Sequence, residues 1–245
     1  MKVAMHARPG RLALPAGKEF RLKIAIVGGT GSEGAGLGFR WAMAGHSVMI
    51  GSRVAERALE AARQMNERLP AGTRPVSGAD NPTAVGDAEV VVLSVPYEAQ
   101  AATLEGIREA LAGKLLITVV APLKTPKGRY WRPAGDSAAL EAQAQLGEAV
   151  RVVAAFQSIS AEHLQDPTHE IDSDVMVCGE KKDDRDVAVA LAAAAGMRGI
   201  HAGGLGNTPV VEGLAAVMIA INVRYKIKNA GLRITGIPAD AADAG

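Results

Sequence analysis

The chain has 245 residues and a mass of 25.3 kDa, enough for one full domain and a smaller second one. With 48% hydrophobic and 22% charged residues its composition is that of an ordinary globular protein, which argues against disorder as its main state. A net charge of +1, 3% aromatic residues and a single Cys give no case for a nucleic-acid or membrane-surface binder, a disulfide framework or a cysteine-built metal site. The lone Cys fits a reducing compartment, and a cytoplasmic location is expected.

Residues 1–22 carry Lys2, Arg8, Arg11 and Lys18, with Pro9 and Pro15 interrupting any apolar stretch. They read as a disordered extension rather than a secretory signal. No uninterrupted apolar run reaches the roughly 18 residues that a membrane helix needs. Residues 23–28 are short, β-branched and closed by glycine, the pattern of a buried parallel strand. A helix is expected over 33–44 with Gly45 beyond its end, then a strand over 47–50 and a helix over 54–69 stopped by Pro70. Strands over 88–95, 115–120 and 150–155 flank a helix over 98–111. This alternation predicts an α/β fold, a Rossmann doubly wound parallel sheet over 23–160, with the strand carboxyl ends on one edge. Beyond it, a strand over 174–178 and helices over 184–195 and 208–225 are expected to form a smaller, mostly helical C-terminal domain over 161–238, with a frayed tail over 239–245.

Gly29-Thr30-Gly31-Ser32-Glu33-Gly34 fits G-x-G-x-x-G, with a strand before it and a helix after it. Glycines permit a tight turn and close backbone approach to a pyrophosphate, and the helix N-terminus offers N–H groups and a positive dipole end to that anion. The second strand discriminates between nicotinamide cofactors. An NAD site carries Asp or Glu there. Here the strand ends Ile50-Gly51-Ser52-Arg53, with Arg57 four residues on. One hydroxyl and two guanidinium groups suit a 2′-phosphate, so the expected cofactor is NADP(H). Val95-Pro96-Tyr97 and Val120-Ala121-Pro122-Leu123 end two further strands at the edge where a nicotinamide ribose and ring would lie.

These segments, with Gly45-His46, Val177-Cys178-Gly179, Gly206-Asn207-Thr208 and Val211-Glu212, resemble the NADPH-dependent F420 reductase family, also called F420-dependent NADP oxidoreductases. The similarity covers roughly residues 23 to 237. The resemblance implies hydride transfer between nicotinamide C4 and C5 of the deazaflavin coenzyme F420, a small-molecule co-substrate, and a homodimer. It implies that Thr30, Gly31, Ser32 and Glu33 hold the pyrophosphate region, that Ser52, Arg53 and Arg57 hold the 2′-phosphate, and that Val95, Val120 and Ala155 lie along the cofactor. It implies deazaflavin contacts at Pro122, Gln157, Ser158, Asn207 and Thr208. Direct hydride transfer needs ring proximity more than an acid or base, so no catalytic acid–base residue is expected. The family pattern has His where this chain has Gln157, whose amide can hydrogen-bond but carries no proton at neutral pH. The alternatives are an NADPH-dependent reductase of a flavin, an imine or a ferric chelate, and a non-catalytic NADP(H)-binding sensor.

Two basic stretches remain. Lys124 to Pro133 reads either as a lid over an anionic tail or as a solvated crossover. Arg224, Lys226, Lys228 and Arg233 could meet the phosphate and carboxylates of a coenzyme tail, or simply carry favourable charge at a helix end. His46, His163, His169 and His201 show no metal-ligand spacing, and Cys178 in its apolar strand reads as a buried hydrophobe.

Overall fold

The short apolar runs become strands of one sheet, and the Ala-rich segments between them become the helices that cover it. The computed structural model describes residues 21–124 and 129–237; the expected N-terminal extension up to residue 20, the tail and the tip of the 124–133 loop lie outside these residues. In chain order the elements are β1 (Lys23–Val27), α1 (Ser32–Met43), β2 (Ser47–Ser52), α2 (Ala55–Asn66), β3 (Ser77–Asp80), α3 (Asn81–Gly86), β4 (Val90–Leu93) and α4 (Tyr97–Leu111). There follow β5 (Leu115–Thr118), the two-residue strands β6 (Leu123–Lys124) and β7 (Arg129–Tyr130), α5 (Ala138–Leu146) and β8 (Arg151–Ala154). The chain then forms α6 (Ala161–Gln165), β9 (Asp174–Gly179), α7 (Lys182–Ala194), β10 (Arg198–His201) and α8 (Thr208–Tyr225).

The main sheet runs β10-β9-β8-β5-β4-β1-β2-β3. All pairings are parallel except β8 with β9. Six of these strands, in the order β3-β2-β1-β4-β5-β8, make the doubly wound pattern, and the chain reverses its winding between β1 and β4. Alternate residues of each strand feed opposite faces. In β1, Ile24 and Ile26 join one core with Phe39 and Trp41 of α1, whereas Ala25 and Val27 join the other with Leu104 and Leu111 of α4. Strands buried on both faces need continuous apolar sequence, which is why β4 reads VVVL and β5 LLIT.

The segment 161–238 contributes α6, α7 and α8, but also β9 and β10, which extend the same sheet. The β10 strand, with sequence RGIH, and β3, with sequence SGAD, lie at the two edges and carry little apolar signal. Both form because their backbones pair with a neighbouring strand. Asp174 ties its edge together: its carboxylate accepts from Arg198 at 2.8 and 2.7 Å and from the Ile234 N–H at 2.6 Å.

Candidate functional site

The crevice lies where the winding reverses. Gly28 ends β1 at φ +78°, and a Cβ there would stand 2.3 Å from the Ser94 carbonyl oxygen after β4. Only glycine permits this turn. Gly29 sits behind it, buried, its own added Cβ 2.8 Å from the Ile26 carbonyl. Gly31 differs: it is at φ −77°, and an added Cβ would meet nothing nearer than 3.6 Å. The space beside Gly31 is open, as part of two adjoining cavities. Gly31 is also the N-cap of α1, and no side chain caps the helix, so its first-turn N–H groups are available to an anion.

Two cavities meet at this point and share Gly31, Ser94, Val95 and Pro96. The smaller, about 500 Å³, runs from Thr30 past Ser52, Arg53 and Arg57 to Asn81 and Thr103. Ser52 is buried, and its Oγ accepts from the Val54 N–H at 3.2 Å. Arg53, on the turn that enters α2, and Arg57, in the first turn of that helix, are exposed, and both line the same cavity. The Asn81 side-chain oxygen is buried there without a hydrogen-bond partner among the described residues. Sequence reasoning missed Asn81, because β3 and α3 give no periodic signal.

The larger cavity, about 530 Å³, lies on the other side of Gly31. Ser32 and Glu33 of α1 form one wall, Val120 and Ala121 after β5 the floor, and Gln157 to Glu162 after β8 the opposite wall. Helix α8 closes it with Ala215, Met218, Ile219 and Asn222, and Lys228 lies at its end. Lys228 belongs to the basic run that the sequence offered for a coenzyme tail, whereas these α8 residues were not singled out as contacts. An all-round apolar helix has no face that marks a ligand.

Gln157 is held by an unusual backbone. Phe156 before it stands at φ +76°, a left-handed conformation costing about 1–3 kcal/mol for a side chain of this kind. Burial of the Phe156 ring, edge-on to Trp41 at 5.7 Å, offsets that strain. The Gln157 amide nitrogen donates to the Thr118 carbonyl at 3.0 Å, and its oxygen is buried with no partner among the described residues. Gln157 lines the larger cavity, so its amide leaves one unused acceptor in that wall.

Of the expected site residues, Thr30, Gly31, Ser32, Glu33, Ser52, Arg53, Arg57, Val95, Pro96, Val120, Gln157 and Ser158 line the two cavities. Gly29, Ala155, Pro122, Asn207 and Thr208 do not line either one. Ala155 is wholly buried beneath the strand end. The Pro122 carbonyl accepts from Trp131, and Asn207 donates to the Ala202 carbonyl at 2.7 Å. Thr208 is wholly buried, its hydroxyl 2.5 Å from that of Ser137 and bonded to the Leu205 carbonyl.

One half-buried and one fully buried carboxyl group shape the electrostatics. Burial raises Glu33, at the cavity wall, to about 8. Glu212 of α8 is wholly buried and accepts from the Ala138 and Ala139 N–H groups at 2.8 and 2.9 Å, capping α5 from another helix. Burial raises it to about 7 against the opposing pull of those hydrogen bonds. Glu212 pins the first turns of α8 beside the sheet. Burial pushes the Cys178 thiol up to about 11, so it is no nucleophile at neutral pH. Among the described residues no cluster of three His, Cys, Asp or Glu side chains could hold a metal ion.

Comparison with known proteins adds to this geometry. Residues 23–122 match the family model described as NADP oxidoreductase coenzyme F420-dependent. The chain is 41% identical over 227 residues to the F420-dependent NADP reductase of Methanothermobacter marburgensis, covering 89% of this chain and 100% of that protein. It is 36% identical over 223 residues to the F420-dependent NADP reductase of Methanocaldococcus jannaschii, covering 88% of this chain and 99% of that one. A solved structure of a putative F420-dependent NADP reductase from Arthrobacter sp. FB24 superposes with a TM-score of 0.74 at 26% identity, over 88% of this chain and all of that one.

Proposed function

Because the chain belongs to the F420-dependent NADP oxidoreductase family, we propose that its two joined cavities bind NADP(H) and coenzyme F420 for hydride transfer between them. The observation that carries this reading is the 530 Å³ cavity beside the dinucleotide loop, with its unpartnered Gln157 oxygen. When bound, the two coenzymes supply the chemistry, a direct hydride transfer between nicotinamide C4 and deazaflavin C5. The protein's part is to bind, orient and exclude water. The α1 N-terminus and the open side of Gly31 receive the pyrophosphate. Ser52, Arg53 and Arg57 grip the 2′-phosphate. Val95, Pro96 and Val120 support the nicotinamide, and the Gln157 oxygen accepts from an N–H of the second ring. Met218 and Ile219 give that ring an apolar face, and Lys228 meets its anionic tail.

The C-terminal segment 161–238 serves as the substrate-side and dimerisation unit. Helix α8 is long and apolar enough, by length and composition alone, to cross a membrane, yet only 28% of its apolar window is buried. Val210 is 71% and Val217 47% exposed, on the same side as a further cavity lined by Tyr130, Gly213, Ala220 and Ile221. The occupant we assign to this face is a second copy of the chain, giving a homodimer with one reaction site on each protomer. Val217→Glu should yield monomers by light scattering; an unchanged dimer would exclude this face. We assign the reaction to the cytoplasm, a reading that a single, buried Cys178 fits.

The deciding experiment mixes purified protein with NADPH and oxidised F420 and follows loss of the deazaflavin absorbance. NADPH-preferring bleaching is the expected result. Tight NADPH binding without bleaching would turn the assignment to another acceptor, a flavin, an imine or a ferric chelate, or to a sensor.

A further inference from the structure

Helix α1 carries a buried charge that none of the expected coenzyme contacts uses. Arg40 is only 9% exposed. Its Nε donates to the Leu164 carbonyl at 3.3 Å and its Nη1 to the Ala195 carbonyl at 3.0 Å. Its Nη2 faces the carbonyls of His163, Asp166 and His169 at 2.9, 2.6 and 2.9 Å. All five acceptors are backbone oxygens, and the Asp166 carboxylate is itself turned to Thr168. A planar fork of donors aimed at carbonyls holds the path of a chain.

The path held is the continuation of the cavity wall. Gln157 to Glu162 line the larger cavity, α6 begins within that run, and four of the five carbonyls follow over residues 163–169. Two further contacts fix the same segment to α1. An added Cβ on Gly36 would stand 2.5 Å from the Leu164 Cβ, so a mid-helix glycine is needed for this approach. The Gln165 side chain donates to the Ser32 carbonyl, and Ser32 lines the facing wall.

We propose that Arg40 is a positioning residue for hydride transfer: by gathering the carbonyls of residues 163–169 onto α1, it sets the width of the cavity between the α1 N-terminus and the Ser158–Glu162 wall. Two rings must stack across that width, and a displacement of about 1 Å at a reacting centre can cost about 100-fold in rate. Lysine cannot replace the function, since one ammonium lacks the planar spread to reach five carbonyls. The inference rests on the reading of this cavity as the F420 site.

The test uses the full chain with Arg40→Lys, Arg40→Met and Gln165→Ala. Four quantities are measured well below each melting temperature: NADPH Kd by fluorescence titration, kcat and KM for F420, and the isotope effect on kcat with NADPH deuterated at the transferred C4 position. For both Arg40 variants we expect NADPH Kd to stay within about twofold, kcat/KM for F420 to fall about tenfold or more, and the isotope effect to rise, with no rescue by Lys. Gln165→Ala cuts the exposed link to Ser32, together with an exposed contact from Arg68, and should lower kcat/KM for F420 about threefold with little change in melting temperature. Folded Arg40 variants with wild-type kcat/KM for F420, or with equal losses toward both coenzymes, would overturn the proposal. If neither Arg40 variant folds, unchanged kinetics in Gln165→Ala overturn it. A wild-type protein that binds NADPH but never reduces F420 would instead overturn the cavity assignment beneath it.

Discussion

The Gln157 side-chain nitrogen donates to the Thr118 carbonyl at 3.0 Å, and this one bond decides what the residue offers a ligand. With the nitrogen engaged on the β5 strand end, the buried oxygen is left as an unused acceptor in the cavity wall. Gln157→Leu keeps the volume and removes the acceptor. KM for F420 should rise about tenfold, the worth of one buried hydrogen bond, while NADPH Kd stays unchanged. An unaltered KM would show that the oxygen meets no ligand.

Arg53 and Arg57 line the cavity on the far side of Gly31 together with Ser52. Replacing both with Ala should weaken NADPH binding by about 100-fold, the loss of two charge-assisted hydrogen bonds, and leave NADH binding within about twofold. Calorimetric titration with the two cofactors separates the outcomes. Equal weakening would mean that the pair does not read the 2′-phosphate.

Gly28 and Gly31 sit three residues apart and should fail differently. Gly31→Val places its side chain in open space, so circular dichroism and melting temperature should hold while NADPH binding disappears. Gly28→Ala forces a Cβ into the Ser94 carbonyl at positive φ, and should cost at least about 2 kcal/mol in urea unfolding. NADPH binding that survives in Gly31→Val would move the pyrophosphate elsewhere.

Burial raises Glu33 from 4.5 to about 8, so it is neutral near pH 7 beside the expected pyrophosphate. Because the folded-state value is the higher one, its contribution to stability is complete below pH 4.5 and is lost as pH rises through about 8. Ionisation also sets an anion against the cofactor. NADPH Kd should therefore increase across that upper range in the wild type, and Glu33→Gln should flatten the profile. Matching profiles for the two proteins would remove Glu33 from cofactor binding.

Lys228 lies at the α8 end of the larger cavity, and its own carbonyl accepts from the Ser160 hydroxyl. Lys228→Ala should raise KM for F420 about fivefold and leave KM unchanged for a deazaflavin cut back to the ring and ribityl chain, which lacks the phosphate. A rise with both acceptors would place Lys228 against the ring instead of the tail.

The reading of individual residues followed the length of the signal. The runs IAIV, VVVL and LLIT announce strands because burial on both faces demands apolar residues throughout. The SGAD of β3 and the RGIH of β10 announce nothing, since an edge strand is stabilised by its neighbour's backbone. Gly31 was recognisable from its motif, whereas the positive φ belongs to Gly28, one residue before that motif. Asn207 and Thr208, expected at the deazaflavin, are engaged instead by Ala202, Ser137 and Leu205. Arg40, in the last turn of α1, reads in sequence as one more helix cation.

What the sequence by itself determined is whatever one strand, one turn and one helix encode together: the parallel-strand alternation, the glycine loop, and the Ser52, Arg53 and Arg57 set that replaces an acidic residue. Those features are local, so spacing alone places them. Only the tertiary structure decided that Phe156 is strained to aim Gln157, that Met218 and Lys228 close the larger cavity, that Glu212 caps a helix other than its own, and that Arg40 holds a wall more than 120 residues away in the chain. Each of these joins groups far apart in sequence. Their partners are fixed by packing across the sheet, and residue spacing carries no record of it.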